Sequence, residues 1–175
     1  SSSGPDLVRV FDGTNTITPA SINTLATNAT LQANTDITIT DPIAMTNAGV
    51  ALTMQAGRSI LINANVSTTN GAISLKANDE AATIGSRDVG AGNITMASGT
   101  SLNPGTASTT LTMGTLSTVG TITLGAITTG AGGLTINAGT GSAIQNAGNV
   151  ISGTGGLTKQ GTGTLTLSQA NTYTG

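Results

Sequence analysis

The chain has 175 residues, a net charge of −2 and no cysteine, which excludes disulfides and thiolate metal sites. Its five basic residues, Arg9, Arg58, Lys76, Arg87 and Lys159, lie too far apart for the positive stripe that nucleic acid requires, and no apolar run approaches the ~20 residues of a membrane helix. Glycine (25 residues) and threonine (about a fifth) dominate, with one Phe, one Tyr and no Trp, so any core is thin, repetitive and aliphatic rather than round.

Residues 1–30 read as an irregular N-terminal segment. Ser1-Ser2-Ser3-Gly4 resembles a linker and no signal-peptide pattern is visible, so a piece of a longer protein is expected. Residues 6–12, with Leu7, Val8, Val10 and Phe11, suggest an irregular strand. Thr18-Pro19-Ala20-Ser21-Ile22-Asn23-Thr24-Leu25-Ala26 predicts one short helix, with Thr18 as N-cap, Pro19 at the first helical position and apolar residues spaced by three and four. That helix is expected against a face, or over the open end, of whatever follows.

From residue 31 to 175 one phrase keeps returning: a small or polar residue, then Ile or Leu, then Thr, then Ile, Leu or Met. It appears as Asp36-Ile37-Thr38-Ile39, Ala51-Leu52-Thr53-Met54, Ala72-Ile73-Ser74-Leu75, Asn93-Ile94-Thr95-Met96, Thr121-Ile122-Thr123-Leu124 and Gly133-Leu134-Thr135-Ile136, among others. Apolar residues alternate with small polar ones, the period of a half-buried strand, and the branched residues favour it. Asn- and Gly-rich breaks, such as Asn47-Ala48-Gly49 and Asn70-Gly71, supply corners.

Spacing converts these strands into coils. Leu52 to Ile73 and Ile73 to Ile94 are each 21 residues, Leu111 to Leu134 and Leu134 to Leu157 are 23, and Ile122 to Ile144 is 22. Each turn thus carries two strong strands, with a weaker third apolar position at Ile43, Val66, Leu116, Ile127 and Val150. The expected fold is all-β: a triangular β-solenoid, or parallel β-helix, of about 22 residues per turn with six or seven turns. Ile, Leu and Val would stack inward, Thr, Ser and Asn would face out, and corner Asn would form ladders. The chain stops directly after a strand phrase without a polar cap, so the shaft is expected to continue beyond residue 175.

One stretch interrupts the pattern. Residues 78–92 read as a loop extending one turn, and Asp79, Glu80, Arg87 and Asp88 in it make the densest charged patch. They form the candidate contact loop, since specific contacts on a solenoid usually sit on loops. Asp36 and Asp41 flank one strand and could share a surface. With no His or Cys and few acids, the chain lacks the paired carboxylates, nucleophile–base groupings and aromatic platforms of solenoid enzymes. Neither a catalytic role nor a cofactor or metal is expected.

The last stretch, Gly153-Thr154-Gly155-Gly156-Leu157-Thr158-Lys159-Gln160-Gly161-Thr162-Gly163-Thr164-Leu165-Thr166-Leu167-Ser168-Gln169-Ala170-Asn171-Thr172-Tyr173-Thr174-Gly175, resembles the autotransporter-associated β-strand repeat, departing at Gln169, where that repeat often has Gly. More loosely, residues 28–39 and 52–64 are similar to repeat regions of filamentous-haemagglutinin-like exoproteins of two-partner secretion. The resemblance implies a right-handed parallel β-helix, the hand also following from general crossover chirality. It implies a secreted or cell-surface protein of a Gram-negative bacterium and an outer-membrane translocation partner. It also implies a role in attachment or biofilm, with a host-cell surface, glycan or matrix receptor as partner.

Two other readings compete. Open ends and an almost uncharged C-terminal half would suit end-to-end self-association into a filament or scaffold. Ordered Thr arrays would suit ice binding, and Thr-x-Thr occurs at Thr38/Thr40, Thr121/Thr123, Thr164/Thr166 and Thr172/Thr174. Those pairs do not return at one spacing, so a flat Thr lattice is not expected.

Overall fold

A computed structural model describes residues 7–11 and 16–175 of the protein. Six coils of three strands each follow one another along an axis. The first comprises β2 (Ala29–Ala33), β3 (Ile37–Ile39) and β4 (Ile43–Met45), preceded by β1 (Leu7–Phe11) and α1 (Ala20–Asn23). The second holds β5 (Leu52–Ala56), β6 (Ile60–Ile62) and β7 (Val66–Thr68), and the third β8 (Ile73–Ala77), β9 (Gly92–Met96) and β10 (Ser101–Asn103). Then come β11 (Thr109–Met113), β12 (Val119–Leu124) and β13 (Ala126–Thr129), followed by β14 (Leu134–Asn137), β15 (Ser142–Gln145) and β16 (Ile151–Gly153). The sixth coil has β17 (Leu157–Gln160), β18 (Thr164–Thr166) and β19 (Thr172–Tyr173).

The first strands of the coils, with β1 at the edge, form a seven-stranded sheet A; the second strands form sheet B and the third form sheet C, six strands each. Every pairing is parallel, β1 to β2 included. The expected three-faced β-solenoid is therefore the fold, with two strong faces in A and B and the weaker face in C.

Burial alternates along the strands, with every second residue in β2, β5, β8, β9 and β11 pointing inward. Register stacks these residues into ladders: Leu31, Met54, Leu75, Leu111 and Ile136 in sheet A, Ile37, Ile60, Ile94 and Ile122 in sheet B, and Ile43, Val66, Leu102, Ile127 and Ile151 in sheet C. From coil 2 to coil 4 these side chains are sealed from solvent, each contributing about 1.5–3 kcal/mol of burial.

Three of the spacings and two of the sheet C positions differ from expectation. Ile73 lies in sheet A and Ile94 in sheet B, paired to Ile60 and Ile122. Their 21-residue separation joins two faces of one coil because the loop after β8 displaces β9. Leu111 stacks on Ile136, while Leu134 stacks on Thr109. Ile122 meets Ala143, which turns Ile144 outward and leaves it 46% exposed. In sheet C, Leu102 and Ile151 fill the places assigned to Leu116 and Val150; Leu116 sits in a corner and Val150 is exposed.

The helix is one turn, Ala20–Asn23, rather than residues 18–26. Pro19 occupies the cap position in helical geometry with no side-chain capping bond, and the Thr18 and Ser21 hydroxyls pair at 3.2 Å. Asn23 is claimed by coil 1: its side-chain oxygen accepts the Ala44 N–H at 2.9 Å and its carbonyl accepts the Thr46 N–H at 2.9 Å. The helix thus runs along β4 and satisfies the outer edge of sheet C. Of the expected strand at 6–12, residues 7–11 are β1, and residues 6 and 12 lie outside the described residues.

Corner asparagines bond to the next coil's backbone rather than to one another. Asn28 accepts the Ala51 N–H, Asn65 that of Ser101, Asn70 that of Thr106 and Asn93 that of Thr121, all at 2.9 Å. Asn70 adopts φ +58°, and the following Gly71 packs so closely that an added Cβ would lie 1.8 Å from the Val50 carbonyl. Buried backbone groups in these tight corners need partners, and the Asn side chains provide them.

Candidate functional site

Two features depart from the regular wall: the loop after β8, and the last coil.

The loop begins at Asn78, which is fully buried with φ +56°. Its amide donates to the Gly114 and Ser117 carbonyls, both at 2.9 Å, and its side-chain oxygen accepts the Ser117 N–H at 3.0 Å. Its backbone N–H reaches back to the Arg58 carbonyl at 3.0 Å. One residue therefore ties coil 2 to coil 4.

The four charged residues expected to share a contact patch form two separate groups. Asp79, 3% exposed, accepts Lys76 Nζ at 2.9 Å, and Glu80 accepts the same ammonium at 3.1 Å. Burial pulls the Lys76 pKa down, but the hydrogen bonds to Asp79 and Glu80 outweigh it and leave it raised. The Glu80 carboxyl is held below the ordinary carboxylate range, first by its own backbone N–H and then by Lys76.

At the far end, Arg87 spends its guanidinium on backbone: Nε on the Gly57 carbonyl (2.6 Å), Nη1 on Asp88 (2.8 Å) and Nη2 on Gly90 (2.7 Å). Asp88 presents its carboxylate to solvent and lies 3.6 Å from Arg58 Nη2. The main ion pair there joins Arg58 to Asp36 of the preceding coil. Arg58 grips Asp36 with two bonds, Nε to Oδ1 at 2.9 Å and Nη2 to Oδ2 at 2.6 Å, and its Nη1 reaches the Val89 carbonyl at 3.0 Å. The Asp36 hydrogen bond raises the Arg58 pKa. Asp41 stands apart from this pair and accepts the Thr40 hydroxyl at 3.2 Å.

Further bonds lay the loop on the corners of coils 1 and 2. The Thr83 N–H donates to Asn34 Oδ1 (3.0 Å), the Thr35 hydroxyl donates to the Ser86 carbonyl (3.3 Å), and the Asp88 N–H donates to the Thr35 hydroxyl (3.3 Å). The loop shows solvent two aliphatic side chains, Ile84 at 59% exposed and Val89 at 90%, beside the polar Glu80, Thr83, Ser86 and Asp88. The 3₁₀ turn Ile84–Ser86 carries the first of these. Arg58 pairs with an acid of the preceding coil, which local sequence does not mark, whereas Lys76 pairs with acids only three and four residues ahead, at the edge of the charged stretch.

Among the described residues no three His, Cys, Asp or Glu side chains gather as a metal site would require. A cavity of about 550 Å³ opens at the N-terminal end of coil 1, floored by the ladder residues Leu31, Ile37, Ile39 and Ile43.

The threonines are more ordered than their spacing suggests. Sheet A carries one outward rank of hydroxyls on all six coils: Thr30, Thr53, Ser74, Thr110, Thr135 and Thr158. Coil steps of unequal length hide it in the sequence. The neighbouring rank is Gln32, Gln55, Lys76, Thr112, Asn137 and Gln160, so no two-rank Thr lattice forms. In sheet B the rank Thr38, Leu61, Thr95, Thr123, Ile144, Thr166 is broken by two aliphatic residues.

The last coil owes its geometry to residues that the sequence comparison also picks out. Leu157 stacks on Leu134 and Leu165 on Ala143. Gly161 turns the corner at φ +75°. A Cβ on Gly163 would lie 1.5 Å from the Gly141 carbonyl, so no other residue fits there. Asn171 accepts the Ile151 N–H at 2.9 Å and exchanges amide bonds with Gln145.

No curated protein and no solved structure matches the chain. The likeness to filamentous-haemagglutinin-like exoproteins therefore rests on the residues of 28–39 and 52–64 alone. The family described as passenger-associated-transport-repeat does match, over residues 157–175. Placed as the sixth coil of a three-sheet β-solenoid, that repeat fits the chain to an autotransporter passenger built of β-strand repeats.

Proposed function

We propose that this chain is a rigid shaft segment of a passenger displayed on, or released from, the surface of a Gram-negative bacterium, serving attachment as a spacer rather than as a catalyst. The observation that carries the reading is the continuity of the three parallel sheets through all six coils. Such a stack is stiff along its axis and leaves little backbone for proteases. The matched repeat supports export by an autotransporter-type route and an extracellular location, with an outer-membrane translocation partner. The chemistry points the same way: the chain has no His or Cys, and Asp36, Asp79 and Glu80 are engaged in ion pairs.

Any adhesive contact to a host-cell surface, glycan or matrix receptor belongs to loop 79–91, the irregular projection that exposes Ile84 and Val89. End-to-end assembly is the weaker alternative, because α1 and Asn23 already satisfy the outer edge of β4 and a second copy would have to displace them. A binding screen of the purified chain against host cells, glycans and matrix proteins tests the reading, beside a version carrying Ile84→Ser and Val89→Ser. A pure spacer binds none of them; binding abolished by the two substitutions makes the loop an adhesive site, and binding unaffected by them refutes its assignment there.

A further inference from the structure

In a solenoid each coil touches its neighbours, so stability is a sum of nearest-neighbour terms and unfolding can start at any coil. Loop 79–91 departs from that arrangement. Along sheet A the step between coils is 23 residues from Ala29 to Leu52 and 21 from Leu52 to Ile73. It then jumps to 36, from Ile73 to Thr109, before returning to 25 and 23. Removing the 13 residues 79–91 would bring the long step to 23, the length of the first and the last. The ends of the loop already meet: a Cβ on Gly92 would lie 2.6 Å from Asn78 Cβ.

We propose that residues 79–91 are a self-contained insertion acting as a lateral strap, which couples coils 1 and 2 to coil 4 along one corner of the solenoid. Each anchor is a specific bond. Asn34 and Thr35 of coil 1 hold Thr83, Ser86 and Asp88. The corner of coil 2 takes Arg87 on the Gly57 carbonyl and offers Arg58 to the Val89 carbonyl. At the root of the loop, Glu80 accepts the Thr115 N–H of coil 4 at 3.4 Å. The strap crosses coil 3, from whose own corner it springs, and so adds bonds between non-adjacent coils to the tie that Asn78 makes between coils 2 and 4. It lends the N-terminal coils cooperativity that the nearest-neighbour stack lacks.

The test joins Asn78 directly to Gly92 and compares that variant with the parent by peptide-resolved hydrogen exchange and urea unfolding. The excised chain is expected to keep its β-sheet circular dichroism and its protection in coils 5 and 6. Amides of 29–33 and 52–56 should exchange at least tenfold faster, and the urea transition should broaden or split. Unchanged protection in coils 1 and 2 would overturn the coupling, and failure to fold would overturn the claim of a self-contained insertion. Arg87→Ala in the full chain provides the independent readout: faster exchange confined to coils 1 and 2 supports the strap, and no change there counts against it.

Discussion

Thr109 stands in the sheet A ladder between Ile73 and Leu134, fully buried, and its hydroxyl has no hydrogen-bond partner. An unsatisfied buried hydroxyl costs about 1–3 kcal/mol, and the flanking ladder positions are aliphatic. Thr109→Val keeps the branched shape that suits a strand and leaves the backbone bond from Thr109 N–H to the Gly133 carbonyl intact. The substitution should stabilise the chain by about 1–2 kcal/mol; at ~2–4 °C per kcal/mol for a chain of this size, the melting midpoint rises by about 2–8 °C. Thermal unfolding followed by far-UV circular dichroism measures the shift, and slower exchange of the amides of 109–113 localises it. Thr109→Ser is the control: it keeps the hydroxyl, loses a buried methyl and should fall by about 1 kcal/mol. A Val variant no more stable than the parent would show that the hydroxyl is engaged and would refute the argument.

Other changes should read out locally. Gly163→Ala puts a Cβ against the Gly141 carbonyl, so coil 6 should detach from coil 5, with loss of exchange protection in 157–166 and none in coils 1–4. Arg58→Ala removes a two-bond grip on Asp36 in which both side chains are about a quarter exposed; discounted for that exposure, the loss should be about 1 kcal/mol in urea unfolding, and Arg58→Lys, which lacks the fork, should recover less than half. Because the folded Glu80 pKa lies below its ordinary value, its contribution is present at neutral pH and is lost as pH falls through the folded value. The raised Lys76 pKa makes its contribution persist through neutrality and vanish only in strong alkali. Protection of the loop amides relative to their intrinsic exchange rates should fall as acid protonates Glu80, below the ordinary carboxylate range, and Glu80→Gln should flatten that dependence.

Strand identity, face alternation and coil length were legible because they depend on nearest-neighbour sequence: Leu52-Thr53-Met54 and Ile94-Thr95-Met96 announce their inward residues without reference to anything distant. What was not legible is stacking between coils of unequal length. Ile73 and Ile94 share the spacing of a coil only because eight regular residues plus the 13 of the insertion happen to total 21. The same irregularity concealed the hydroxyl rank from Thr30 to Thr158, whereas the Arg58–Asp36 pair joins two coils of regular step and was hidden because Arg58 stands one residue before the register partner of Asp36. The loop itself was visible as a charged interruption. Its charges looked like a patch in the sequence, but Asp79 faces inward to Lys76 and Arg87 turns onto carbonyls, since near a packed corner a charge is more stable paired than bare.

The interior also changes character along its axis, and that change bears on how the matched repeat is seated. Gln145 occupies the rank held by Leu124 in the preceding coil, and Lys159 the rank of Ile136. Lys159 avoids burial by turning its amine to the Gly161 carbonyl at 2.5 Å in an exposed position. Gln145 is buried and bonded throughout: its amide donates to the Asn149 carbonyl and to Asn171 Oδ1, both at 2.7 Å, while its oxygen accepts the Ser168 and Gln169 N–H groups at 3.1 and 3.2 Å. An aliphatic ladder tolerates a slip of two residues, because every second side chain is again apolar. A buried amide with four partners does not, since any slip leaves unpaired groups that cost more than the lost contacts. Gln145 and Asn171 therefore fix the register in which residues 157–175 close onto coil 5, and the asparagine of the repeat acts as a register key rather than as part of a surface.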